Sequence, residues 1–153
     1  MWNHKFVVMN YCRRSTPGYT YIRNNSAQTW ETNGLLQVGN ILAMSSANNI
    51  LISGNSLVVT NKGTYKLDIT VIGTPATVSS TVIPTINVNG VAIASASITG
   101  GATAVMDSYN VSTITSLNRG DIVTITNTGA SALDISAVTN PSYNVNIMIE
   151  RFN

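Results

Sequence analysis

Chemistry in this chain would have to start from one histidine and one cysteine. His4 and Cys12 stand near the beginning of the 153 residues. A thiol beside an imidazole is the core of a nucleophilic site, but the base needs an acid to orient it. The first acid, Glu31, comes much later. Cys12 therefore reads as a small buried hydrophobe. Alone it forms no internal disulfide, and with a single His it cannot complete a structural zinc site.

The acids are Glu31, Asp68, Asp107, Asp121, Asp134 and Glu150, with no D-x-D or E-x-x-E spacing among them. Glycoside hydrolysis requires two carboxylates about 5–9.5 Å apart, and nothing in the spacing pairs any two. Asp121 follows Gly120 at the start of a strand-like segment, a place where a carboxylate caps loop amides. Asp107 and Asp134 could supply calcium only with help from loop carbonyls, since no acidic loop cluster exists. No glycine-rich phosphate loop opens a helix. The expectation is a protein that is not an enzyme and holds no cofactor and no metal.

The elements that would carry any site are strands. From about residue 35 onward, Gly, Asn and Pro punctuate short apolar stretches at about 8–12-residue spacing, the pattern of a sandwich or barrel. Tyr65, Leu67, Ile69 and Val71 alternate with polar neighbours, as do Tyr143, Val145, Ile147 and Ile149. Both sets are assigned to the core by their period of two. The second set is expected to form a central strand, because its inward β-branched residues would otherwise stay exposed. Further strands are predicted over 81–89, 91–98, 104–114, 121–126 and 133–138. The total is about eight to ten, with Asn89-Gly90 as a type I′ hairpin turn. Such a set, with no helical periodicity, packs as a two-sheet antiparallel jelly roll.

Charged residues make up 9% of the chain, while 19 Asn, 19 Thr and 16 Ser carry its polarity. The charged share is far below the roughly 25% of ordinary domains. A surface so weakly charged repels copies of itself little and is inexpensive to desolvate, which favours close-packed assemblies. The charge is also uneven. Residues 1–30 carry Lys5, Arg13, Arg14 and Arg23 without an acid, and the rest carries four bases against six acids. Residues 1–30 also hold Trp2, Tyr11, Tyr19, Tyr21 and Trp30, too many aromatics for a free tail. They are read as an attachment arm that docks on a partner, with residues 31–153 as the jelly-roll domain. Four charges are too few for nucleic acid. No apolar run reaches the roughly 18 residues of a membrane span, and the start lacks a secretory h-region. Use without export is expected.

Four short motifs occur in order: Asn61-Lys62-Gly63-Thr64-Tyr65 before an alternating strand, Val88-Asn89-Gly90, Leu117-Asn118-Arg119-Gly120-Asp121, and the closing segment Asn146 to Arg151. Together they resemble the superfamily of tumour-necrosis-factor-like and complement globular-head domains. More narrowly, they are similar to the C-terminal domains of bacterial and phage collagen-like surface proteins. The resemblance covers roughly residues 35–153. It implies a ten-stranded jelly roll, a tight threefold homotrimer and no catalysis. No Gly-X-Y stalk is present, and residues 1–30 have no counterpart in that family.

A trimer is also expected on physical grounds. Thr70, Ile72, Met148 and Phe152 lie on the outward side of strands whose inward side is already apolar, so they are assigned to the subunit interface. The function expected is that of a virion structural protein, a phage head fibre or capsid decoration protein. The arm would dock on the major capsid or another virion protein at the virion surface, after assembly in the host cytoplasm. The alternative is a receptor-binding tip or cell-surface adhesin recognising a host glycan or protein. It would use the loops 53–56, 73–80 and 130–134.

Overall fold

A computed structural model describes residues 17–45, 50–99, 105–139 and 142–152. Among the described residues the chain is all β, without a helix. The strands are β1 (Gly18–Asn24), β2 (Gln28–Trp30), β3 (Asn40–Met44), β4 (Ile50–Ser53), β5 (Ser56–Val59), β6 (Gly63–Pro75) and β7 (Thr81–Val82). They continue as β8 (Pro84–Val88), β9 (Val91–Ser95), β10 (Ile98–Thr99), β11 (Asp107–Leu117), β12 (Ile122–Asn127), β13 (Leu133–Ile135) and β14 (Val145–Arg151).

Two antiparallel sheets form the sandwich. The first runs β2-β13-β6-β14-β1-β3, with β11 on the other side of β6; the second runs β4-β5-β12-β8-β9. A small β7-β10 pair completes the set. The alternation in β6 places Tyr65, Leu67, Ile69 and Val71 inward, and Val145, Ile147 and Ile149 of β14 meet them across the ladder. All seven are 2% exposed or less. As expected, β14 is central, flanked by β6 and β1.

Asn89 and Gly90 turn β8 into β9 with φ of 51° and 81°, the left-handed pair that a type I′ turn requires. The stretch 81–89, expected as one strand, is split at Ile83. There Pro84 has no N–H to donate to a ladder, and Ile83 N donates instead to the Asn127 side chain. Breaks of this kind, and two strands before residue 31, raise the number among the described residues to fourteen from the eight to ten expected.

Two further expectations are corrected. Tyr143 is not in the core: β14 begins at Val145, and the alternation fails just before it because Asn144 and Val145 are both buried. Asn144 turns inward to donate to Ser136 O at 2.6 Å, which leaves Tyr143 half-buried on the outward side. The boundary at residue 30 also moves, since β1 and β2 are integral to the first sheet.

Asn127 joins the loops at one end of the sandwich. Fully buried, it accepts from Ile83 N (3.2 Å) and Gly129 N (3.0 Å) and donates to Trp30 O (3.3 Å) and Ser131 O (2.7 Å). The site is tight: a Cβ on Gly129 would lie 2.4 Å from Thr81 O.

Candidate assembly face

Three cross-strand rows make up the outward face of the first sheet. Asn110, Thr70, Asn146 and Arg23 form one, Ser112, Asp68, Met148 and Tyr21 the next, and Ile114, Lys66, Glu150 and Tyr19 the third. Residues opposite one another on neighbouring strands are close enough to act as a unit, so each row can be read as a strip of surface.

The middle of the face is polar and internally paired. Lys66 Nζ lies 2.8 Å from Asp68, and Ser112 Oγ donates to the same carboxylate. Burial works to raise the Asp68 pKa, but the hydrogen bonds from Lys66 and Ser112, with the Lys66 charge, outweigh it and hold the carboxyl below its ordinary range. The same partnership raises the Lys66 pKa. In the polar row, Arg23 Nε donates to Asn146 Oδ1 at 3.3 Å and the guanidinium sits 4.8 Å over the Tyr143 ring. That stacking fixes a cation on an otherwise uncharged strip.

The two margins are apolar. On the β1 and β3 side, Tyr19 and Tyr21 meet at 5.5 Å between ring centroids, and the exposed Leu42 extends the patch along the edge strand. Leu42 is the extra residue of a bulge, because Tyr21 pairs with Ala43 while Ile22 pairs with Ile41. Bulges re-aim side chains and interrupt pairing at open edges. A shallow pocket at this margin is lined by Pro17, Gly18, Tyr19, Glu150, Arg151 and Phe152. At the opposite margin, Ile114 on β11 is 63% exposed, against 43% for Tyr19. Val105 and Met106, which lead into β11, are exposed as well.

Of the residues assigned to a subunit interface, Thr70, Ile72 and Met148 are half-buried on this face and Phe152 is 47% exposed beside Tyr19. Of those assigned to docking, Trp2, Lys5, Tyr11, Arg13 and Arg14 lie outside the described residues, as do His4 and Cys12. Tyr19, Tyr21 and Arg23 occupy the outward side of β1. Trp30 is a core residue: its ring is fully buried, with the indole N–H donating to Gly34 O at 3.0 Å, so it is unavailable to a partner. The sequence reading missed Ile114 and Leu42 on the margins. An unbroken period-two pattern along β11 could have found Ile114.

Asp121 caps loop amides as expected: Oδ2 accepts from Asn118 N at 2.7 Å and Oδ1 from Asn89 Nδ2 at 2.9 Å. These bonds lower its pKa. Asp107 and Asp134 do not converge. They stand across from Gly73 and Thr74, adjacent residues of β6 whose sides face opposite ways. No group of three or more His, Cys, Asp or Glu gathers among the described residues.

The sequence matches no protein-family profile and no curated protein. Among solved structures, murine APRIL at pH 5.0 is similar with a TM-score of 0.68 and 14% identity, over 90% of this chain and all of that one. The Eiger TNF of S. frugiperda is similar with a TM-score of 0.69 and 10% identity, over 90% of this chain and 94% of that one. Murine APRIL at pH 8.0 gives 0.61 and 12%, again over 90% of this chain and all of that one. The fold of this chain is therefore the all-β jelly roll of TNF-family domains.

Proposed function

We propose that this chain is the subunit of a non-enzymatic homotrimer that serves as a structural protein on a phage virion, a head fibre or capsid decoration protein. The observation that carries the assembly is the pair of unlike apolar margins on one sheet face, Ile114 at β11 and Tyr19, Tyr21 and Leu42 at β1 and β3. Two different patches on opposite edges can match head to tail, each margin of one subunit meeting the other margin of the next. Head-to-tail contacts either close into a ring or grow without limit. Three subunits close the ring, with Thr70, Ile72, Met148 and Phe152 on the enclosed face. The TNF-type fold supports this number of copies.

The virion role rests on the low charge and on the aromatic, basic residues Trp2, Lys5, Tyr11, Arg13 and Arg14. These would dock on an acidic capsid surface. The narrower resemblance to phage and bacterial collagen-like surface proteins favours the same setting. A native mass three times the 16.3 kDa of one chain, and capsid binding that disappears when residues 1–16 are removed, are the expected results. A monomer at micromolar concentration would defeat the trimer, and capsid binding by the truncated protein would defeat the arm.

A receptor-binding or adhesin role is the second reading, favoured by the clustering of two predicted loops. Ala76 N donates to Ala132 O (2.9 Å) and Thr77 N to Ser131 Oγ (3.1 Å), so 73–80 and 130–134 form one rigid tip. Glycan or host-cell binding by the purified trimer, lost on substitution within that tip, would establish it.

A further inference from the structure

We propose that Asn89 is a site of spontaneous covalent modification, deamidation, and that its contacts with β12 hold the reaction back in the folded protein. The reaction needs an asparagine whose following residue leaves the backbone nitrogen unhindered. Gly90 does so, and a Cβ built there would meet nothing within 4 Å, so the turn is open to water and base. The Gly90 nitrogen, giving up its proton to base, attacks Asn89 Cγ. Ammonia leaves and a five-membered succinimide forms. Water then opens either carbonyl of that ring, giving aspartate or isoaspartate. The net change consumes one water and releases one ammonia.

The attack requires Cγ to swing toward Gly90, and the side chain is latched elsewhere. Its Nδ2 donates to Asp121 Oδ1 at 2.9 Å and its Oδ1 accepts from Ile122 N at 2.9 Å. A backbone bond from Asn89 N to Ile122 O at 2.8 Å holds the same residue against β12. Asp121 is itself fixed by Asn118 N. Both polar ends of the amide must be released before the ring can close, so the rate in the folded state is set by opening of the latch. The product undoes the latch for good. An aspartate at 89 has no donor for Asp121 and sets two carboxylates face to face, and an isoaspartate also lengthens the backbone of a turn whose two positive φ values fix the hairpin register.

The test is peptide mapping by mass spectrometry of the full chain incubated at mildly alkaline pH, folded and in denaturant. Conversion at residue 89 is expected to be fast in denaturant and slow when folded. In Asp121→Ala, verified as folded by circular dichroism, it should be about tenfold faster than in the folded wild type, the factor for about 1.4 kcal/mol less resistance to opening. Asp121→Leu, which likewise offers no acceptor, serves where the alanine variant does not fold. Asn89→Asp should melt at a lower temperature than wild type, and adding Asp121→Asn should recover part of the loss by removing the facing charge. Equal rates in folded and denatured wild type, or no acceleration in a folded Asp121 variant, would overturn the proposal.

Discussion

At the scale of single residues, the fold depends on polar groups that are completely used. Asn127 is the clearest case, since each of its side-chain atoms that can bond does so twice, to three separate segments. Removing a buried partner leaves the others unsatisfied, which costs more than the bond itself contributed. Asn127→Ala is therefore expected to lower stability by about 2–4 kcal/mol, measured by urea unfolding. A loss indistinguishable from that of an exposed substitution such as Asn55→Ala would refute the role given to it. Asp121 offers a pH test. Asn118 N and the Asn89 side chain depress its folded pKa, with burial opposing them weakly. A group whose folded pKa is below its unfolded value adds stability that is complete above the unfolded value and disappears as pH falls through the folded one. Melting temperature should thus fall on acidification from about pH 5 toward pH 3, and Asp121→Asn should flatten part of that slope.

At the scale of elements, what could be read from the chain was whatever alternates cleanly. β6 and β14 announce themselves because large apolar residues fill successive inward positions, and the β8 to β9 hairpin because Asn-Gly suits its turn. β1 carries the same alternation in disguise. Its inward positions are Gly18, Thr20 and Ile22, and its outward ones Tyr19, Tyr21 and Arg23, so the hydrophobic signal points to the wrong side. A strand with small inward residues and aromatic outward residues resembles an arm until its pairing with β14 is seen. Trp30 was misplaced for the same reason, its large ring counted as docking surface when β2 buries it. The margins of the sheet face escaped notice because their exposed residues come from three separate strands. Their meaning can be checked directly: Ile114→Asp on β11 and Tyr21→Asp on β1 should each convert trimer to monomer by native mass spectrometry, with circular dichroism unchanged. By contrast Ile147→Ala, at a fully buried position on the central strand, should cost about 2–4 kcal/mol. Were the aspartate variants to remain trimers, the head-to-tail arrangement would be wrong.

At the scale of the whole molecule, the strands give the sandwich two unlike poles. Gly18 stands across from Arg151, and Phe152 N donates to Thr64 O, so both described ends of the chain share one pole with the turn before β6. The loops 73–80 and 130–134 lie at the other. A docking segment that precedes Pro17 would thus leave the opposite loops facing away from whatever it grips, an arrangement suited to a projecting surface protein. The position of the boundary then becomes decisive. Removing residues 1–16 leaves every described strand in place, and such a chain should keep the wild-type melting temperature and cooperative unfolding. Removal of residues 1–30 deletes β1 and β2, uncovers the flank of β14, strips β3 of its partner β1 and removes Trp30 from the core. An uncovered central strand rich in Val and Ile is a template for pairing with other chains. That truncation should accumulate as aggregate and show no cooperative unfolding. A soluble, cooperatively folding product lacking residues 1–30 would mean that the first thirty residues are an appendage after all, and that the sheet can close without them.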